Sequence, residues 1–166
     1  KQVMLLHPQV AIPQGSSAVT EIVAAVLTHQ DQLALLRRSE LVTGDVGSWN
    51  CITGFLDLGC EPLVQAMTEV EEEAGISGCN LLLHASSVLN LQGVDGRLWR
   101  VHAFHFHTET RDLTLNWEND AYVWLHPDRL NELSTVSWFA QILDACGLGR
   151  SGPIVNAAEC AGKKGI

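Results

Sequence analysis

The chain has 166 residues, 46% of them hydrophobic and 17% charged, which is enough apolar side chain for one packed core and too much for a disordered polymer. The net charge is −9, and the whole excess falls between Ser39 and Gly96, where nine acids meet no Lys or Arg; this makes extended nucleic-acid binding a poor expectation, because duplex surfaces need cations to displace counterions. No apolar run approaches the ~18–20 residues of a membrane span, so no membrane partner is expected.

The five cysteines, Cys51, Cys60, Cys79, Cys146 and Cys160, are widely spaced and include no Cys-x-x-Cys pair. Neither a disulfide scaffold nor a thiolate zinc site follows from that pattern. The expected setting is the cytoplasm or another reducing compartment, with buried free thiols at every position except Cys60.

In chain order, residues 1–18 contain Pro8, Pro13 and a Gln-Gly-Ser-Ser stretch and read as an N-terminal arm or edge strand. Val19–Leu27 and Leu33–Arg38 are apolar runs split by a polar pentapeptide, the pattern of a β-hairpin, although their Ala and Leu content also suits helix. Gly44, Gly47 and Gly54 mark loops around a short strand at Trp49–Ile52. Leu81–Leu89 and Leu98–Thr108 read as strands joined by a Val94-Asp95-Gly96 turn. In the second of these, Trp99, Val101 and Ala103 share one face, and Phe104 and Phe106 share the other. Ala121–Leu125 is a further strand, a short helix opens at Pro127, and Val136–Leu148 reads as a terminal helix followed by Gly149. Strands, a helix, more strands and more helices make an α+β domain over 19–148, with a C-terminal tail at 149–166.

The chemically informative segment is Gly54–Ile76, GFLDLGCEPLVQAMTEVEEEAGI. Pro62 suits a helix start and Gly75 a left-handed helix end. Leu63, Ala66, Met67, Val70 and Ala74 recur at helical spacing as a core-facing stripe. Glu69, Glu72 and Glu73 stand at i, i+3 and i+4 on a neighbouring face, and Glu71 points elsewhere. Like charges so placed cost ~0.2–0.5 kcal/mol per pair, and they crowd the helix end whose dipole disfavours negative charge. A hard divalent cation would reverse the sign of that term; an exposed acidic helix end would merely bear it.

The segment resembles the Nudix box, G-x5-E-x7-R-E-U-x-E-E-x-G-U, with U aliphatic. The family glycine falls on Gly54, and the last eight positions fall on Glu69 through Ile76. Two positions depart: Cys60 stands for the first glutamate, beside Glu61, and Thr68 stands for the arginine. The hairpin ending in Arg37 and Arg38, Trp49 ahead of the box, and Glu118 six residues before Trp124 are similar to family features. The resemblance implies a mixed β-sheet core sandwiched between helices. It also implies hydrolysis of the pyrophosphate linkage in a nucleoside diphosphate derivative with Mg2+ or Mn2+. On this likeness the metal ligands are Glu69, Glu72, Glu73 and the Gly54 carbonyl. Either Glu69 or Glu118 takes the proton from water, so Glu69, Glu73 and Glu118 are the catalytic candidates.

The small nucleotide partner has stacking candidates in Trp49 and Phe55, with Trp99 and Trp117 behind them, and cationic ones in Arg37, Arg38, Arg97 and Arg100. Each aromatic alone reads more readily as core or rim packing, and each arginine as ordinary surface charge. His105 and His107 share a strand face, with His102 opposite; two together are too few for a transition-metal site. The departures at Cys60 and Thr68 keep a second reading open, a catalytically weak Nudix-fold module that binds a nucleotide or protein. An RNA 5′-end pyrophosphohydrolase is a third, disfavoured by the acidic charge. The N-terminal arm offers a way to pair two copies as a homodimer.

Overall fold

A computed structural model describes residues 19–149; the arm expected at 1–18, the tail beyond Gly149 and Cys160 lie outside the described residues. Seven strands form one mixed sheet. They are β1 (Val19–His29), β2 (Gln32–Arg38), β3 (Trp49–Asn50), β4 (Ile52–Phe55), β5 (Leu82–Gln92), β6 (Leu98–His107) and β7 (Asn119–Leu125). Two α-helices, α1 (Pro62–Ala74) and α2 (Phe139–Ala145), complete it with 3-10 turns at Gly78–Asn80 and Pro127–Glu132.

The centre of the sheet is β1. It runs parallel to β6 from Val19 beside Leu98 to Thr28 beside His107, and antiparallel to β4 from Ile22 beside Phe55 to Ala25 beside Ile52. Ile22 through Thr28 are all buried, because both faces of this strand are covered, and such strands read as continuous apolar runs rather than alternating ones. That is why the hairpin's Ala and Leu content suited helix as well. The small side chains Ala24 and Ala25 face opposite cores and let elements approach closely on each side.

β1 and β2 pair only at their turn, Thr28 with Leu33 and His29 with Gln32, and then diverge. β3 fills in beside β2 and β4 beside β1. The single strand expected at Trp49–Ile52 is therefore two, with buried Cys51 where the chain changes partners. Gly54, expected in a loop, is the third residue of β4 and pairs with Val23.

The sheet separates two cores. Trp99, Val101 and Ala103 of β6 pack with Phe139, Ile142 and Leu143 of α2 on one side. Phe104 and Phe106 pack with Ala66, Val70, Ala74 and Ile76 of the α1 region on the other, with Leu63 and Met67 partly buried beside them. The sheet is thus sandwiched between helices, as expected. Each fully buried aliphatic side chain contributes about 1.5–3 kcal/mol relative to exposure.

The terminal helix is shorter than its apolar pattern suggests. Val136 N–H donates to the Trp49 carbonyl at 3.0 Å and Trp49 N–H to the Ser134 carbonyl at 2.9 Å, so residues 134–136 extend the sheet before α2 begins. The short helix at Pro127 is a 3-10 turn. Cys79, expected buried, is exposed, because it stands in the 3-10 turn outside both cores with Ser77 Oγ 3.4 Å from its sulfur. Cys51 and Cys146 are buried free thiols; burial pushes Cys51 well up and Cys146 up to about 11, so both stay protonated.

Candidate functional site

The box spans strand, loop and helix. Pro62 opens α1 without a donor to satisfy, and Gly75 closes it at φ 71°, its N–H on the Glu71 carbonyl at 3.0 Å. The apolar stripe locks the helix onto the sheet, which fixes the acidic face against the end of β4. A Cβ on Gly54 would stand 2.1 Å from Cδ and Oε1 of Glu69. The glutamate carboxylate therefore lies directly on the Gly54 backbone, in space that only glycine leaves open.

The three box glutamates meet different neighbours. Glu69 Oε1 accepts from Gln65 Nε2 at 3.2 Å. Glu73 is buried, and its Oε1 accepts from Asn119 Nδ2 at 3.2 Å. Glu72 is exposed to solvent. Among the described residues, the side chains whose ligating atoms converge within 4.8 Å are His29, His107 and Glu109, outside the box. Glu69 and Glu73 are held by separate amides and Glu72 faces solvent, so the like charges of this face stand apart.

Both departures have visible consequences. Thr68 is exposed, and its hydroxyl donates to the Val64 carbonyl of its own helix at 3.0 Å, so it does not serve the carboxylates. Cys60 precedes the helix, with its thiol 3.5 Å from the Glu61 carbonyl and its N–H on Asp57 O at 3.0 Å. Glu61, the N-cap residue, makes no capping hydrogen bond and is exposed.

Two residues not singled out in the sequence hold the site. Gln65 is buried; its Oε1 accepts from the Asp57 backbone N–H at 3.2 Å while its Nε2 holds Glu69. It ties the box loop to the first glutamate of the acidic face. The signal was its place four residues before Glu69. Asn119 opens β7 and holds Glu73; its signal was adjacency to Glu118. Glu118 itself is half-buried in the approach to β7, its N–H on Asn116 Oδ1 at 3.0 Å and its carbonyl accepting from Ser39 N–H at 2.9 Å. The structure thus brings the late acidic loop to the C-terminal half of the box helix.

A shallow cleft open to solvent adjoins Gly54, with Ile22, Phe55, Trp99 and Trp138 among its walls and Arg38, Asp45, Asn50 and Thr53 as polar lining. Phe55 and Trp99 rings lie 6.4 Å apart. Asn50 is buried, and its Oδ1 has no hydrogen-bond partner among the described residues. Arg38 is buried and clamps the 43–47 loop, donating to Gly44 O at 3.0 Å and Thr43 O at 3.3 Å. Trp49 and Arg37 are absent from the cleft lining. Arg37 stacks 5.8 Å over Trp49 and pairs with Asp120 at 2.7 Å. Arg97 lies 5.6 Å over Trp99, Arg100 pairs with Glu21 at 3.3 Å, and Trp117 is exposed.

His102 Nε2 lies 3.0 Å from Glu21 Oε1. His105 is buried against Thr28 Oγ1 at 2.6 Å, and burial, with His84 and His107 adding, lowers its pKa to about 4.

Comparison with known proteins agrees with this geometry. The family model described as NUDIX domain matches residues 19–146. No curated protein matches the sequence. The fold is similar to the E. coli ORF135 protein (TM-score 0.66, 22% identity, covering 87% of this chain and 99% of that one). It is also similar to the MutT protein from Methanosarcina mazei Go1 (0.62, 21%, 78% and 93%). A C. elegans Ap4A hydrolase in a binary complex is alike to the same degree (0.62, 18%, 78% and 93%). With the box helix, the bent mixed sheet and the family match in agreement, the chain belongs to the Nudix family.

Proposed function

We propose that this chain is a divalent-metal-dependent pyrophosphohydrolase acting on a small nucleoside diphosphate derivative. The observation that carries the reading is the Glu69 carboxylate lying against Gly54, which supports a site where the first box residue and the acidic helix meet. The donor set is all oxygen, which suits Mg2+ or Mn2+ rather than a soft metal. Glu69, Glu72, Glu73 and the Gly54 carbonyl would hold the ion. When bound, it supplies charge neutralisation to a diphosphate and acidity to a water.

The chain's own groups do the remaining work. Gln65 holds Glu69 in place and Asn119 holds Glu73, so the carboxylates are oriented by neutral amides where the family pattern has a guanidinium. Neutral donors are weaker than charge-assisted ones, and the like charges stay less compensated. Glu69 and Glu118 are the candidates to take a proton from water. The cleft beside Gly54 offers Phe55 and Trp99 as apolar walls for a base, and Asn50 Oδ1 as an acceptor for a base N–H. A crystal structure of NrtR from Shewanella oneidensis, of similar fold, holds ADP ribose, which supports a small nucleotide as the ligand class.

The Thr68 hydroxyl spent on Val64 favours the second reading, a nucleotide-binding module of low activity. One screen separates the readings: nucleoside triphosphates, nucleotide sugars, dinucleoside polyphosphates and triphosphorylated RNA, each with Mg2+ or Mn2+. Turnover of a small nucleotide, lost in Glu72→Gln and in Glu73→Gln, supports hydrolysis. Nucleotide binding without turnover supports the module, and turnover confined to RNA supports the 5′-end reading.

A further inference from the structure

Away from the box, ligating side chains gather where β1 and β6 leave the sheet. His29 ends β1, His107 ends β6, and Glu109 follows two residues later. Strand alternation in β6 offered two histidines on one face; the parallel neighbour β1 and the loop after β6 supply the others. One ligating atom from each of His29, His107 and Glu109 lies within 4.8 Å of the other two. His107 Nε2 is 2.8 Å from Glu109 Oε1, and His29 Nδ1 is 3.8 Å from Glu109 Oε2.

We propose that His29, His107 and Glu109 form a binding site for a divalent transition metal of the zinc class, separate from the box. Two imidazoles and a carboxylate are a zinc donor set, whereas Mg2+ prefers oxygen. The two rings are stacked with centroids 6.0 Å apart and planes 17° apart. Two imidazoles on one zinc, with bonds of ~2.0–2.1 Å, hold their centroids roughly 5–6 Å apart. The centroid spacing already suits a shared ion, while the near-parallel rings must turn about their side-chain torsions for their in-plane lone pairs to converge.

The supporting contacts are those that metal-bound histidines use. His29 Nδ1 donates to the Thr108 carbonyl at 2.8 Å, which fixes the tautomer and leaves Nε2 as the His29 atom for the metal; the 3.8 Å approach of Nδ1 to Glu109 shows proximity, not a ligand direction. His107 is braced on its other side by the His84 ring, stacked at 5.7 Å. Glu109 is the adjustable member: its side chain is 85% exposed and swings without disturbing a core. Three protein ligands leave a fourth tetrahedral position for water.

The site stands well away from the box. Gly54 pairs with Val23, and His29 lies six residues further along β1, roughly 20 Å at the usual strand rise. The role that fits is a clamp. The ion would tie the β1–β2 hairpin end, the end of β6 and the loop that follows, and binding to the folded state alone raises stability.

The test is Zn2+ titration of the full chain in excess Mg2+, read by competition with a chromophoric chelator, by thermal melting and by the visible spectrum of a Co2+ replacement. The expected result is one zinc retained in Mg2+, a raised melting temperature and a tetrahedral Co2+ spectrum. His107→Ala and Glu109→Gln each weaken zinc by at least about tenfold, and the double variant Glu72→Gln/Glu73→Gln does not. Glu109 is at the surface, so its variant reports binding even where His107→Ala unfolds the chain. The proposal is overturned by no zinc retained in Mg2+, by binding indifferent to both substitutions, or by binding lost with the box glutamates. Zinc lost with the box glutamates would move the ion to the box and so favour a metal there; the other two outcomes leave the hydrolase reading, which rests on different residues, untouched.

Discussion

Gly54 and Gln65 are where single atoms bear most on the proposed hydrolysis. A methyl group at Gly54 displaces the far end of Glu69, a flexible side chain, so the fold tolerates it while the carboxylate moves. Gly54→Ala is expected to leave the melting temperature within a degree or two and lower turnover by about 100-fold, the usual penalty for misplacing a reacting group by an ångström. Steady-state kinetics beside a thermal melt checks this; equal losses in both would mean that the glycine serves packing. Gln65→Met keeps volume and removes both amide contacts, to Asp57 N–H and to Glu69. It is expected to lower kcat by about tenfold with KM little changed, since one neutral hydrogen bond contributes ~0.5–1.5 kcal/mol. A rise in KM alone would place Gln65 at the substrate instead. Gly54 was legible in the sequence as the first residue of the box; Gln65 was not. Gln65 lies inside an apolar-looking turn, and only a folded helix shows that its amide reaches both the loop and the acid.

At the scale of elements, the box helix was the most legible part. Its proline start, glycine stop and apolar stripe are local signals, and all three hold in the structure. The strand pair at Trp49–Phe55 was illegible because its cause is not local. A change of sheet partner at Cys51 depends on β1 and β2 diverging, and no periodicity within seven residues records that. The same reason shortened the terminal helix, whose first residues are taken by Trp49.

The β1–β6 pair carries an electrostatic contact with a pH signature. Glu21 has a pKa below its ordinary 4.5, chiefly because His102 hydrogen-bonds its carboxylate, with Arg100 adding. A depressed carboxylate stabilises the fold above its unfolded pKa, and that contribution is lost as pH falls through the lower folded value. The side chain is 38% exposed, so solvent screens the contribution to below about 1 kcal/mol. Glu21→Gln is therefore expected to shift the urea midpoint down slightly at pH 7 and to flatten the loss of stability below pH 4.5. Parallel midpoint curves for the two proteins would remove this contact from the account.

For the whole molecule, a sheet covered on both faces sets two cores back to back and leaves the catalytic candidates at the end of β4, where α1 meets it. The spacing made the acidic face legible, because i, i+3 and i+4 put Glu69, Glu72 and Glu73 on one side of a helix, and the resemblance alone suggested oxygen chemistry there. The sequence did not show the cleft, whose walls come from β1, β3, β4, β6 and the segment before α2. It did not show the histidine cluster either, because His29 and His107 are 78 positions apart and meet only through parallel pairing.

The proposed hydrolysis stands or falls with the acidic face of α1 and Gly54 gripping a divalent cation. Its most direct measurement is Mg2+-dependent release of nucleoside monophosphate from a substrate panel by wild type, Glu71→Gln, Glu72→Gln and Glu73→Gln. Glu71 shares the charge of its neighbours but not their face, so it controls for bulk electrostatics. The account predicts turnover in wild type and Glu71→Gln that rises with Mg2+, and a loss of at least about 100-fold in the other two. Turnover that survives Glu72→Gln and Glu73→Gln, or that falls equally in Glu71→Gln, would contradict it.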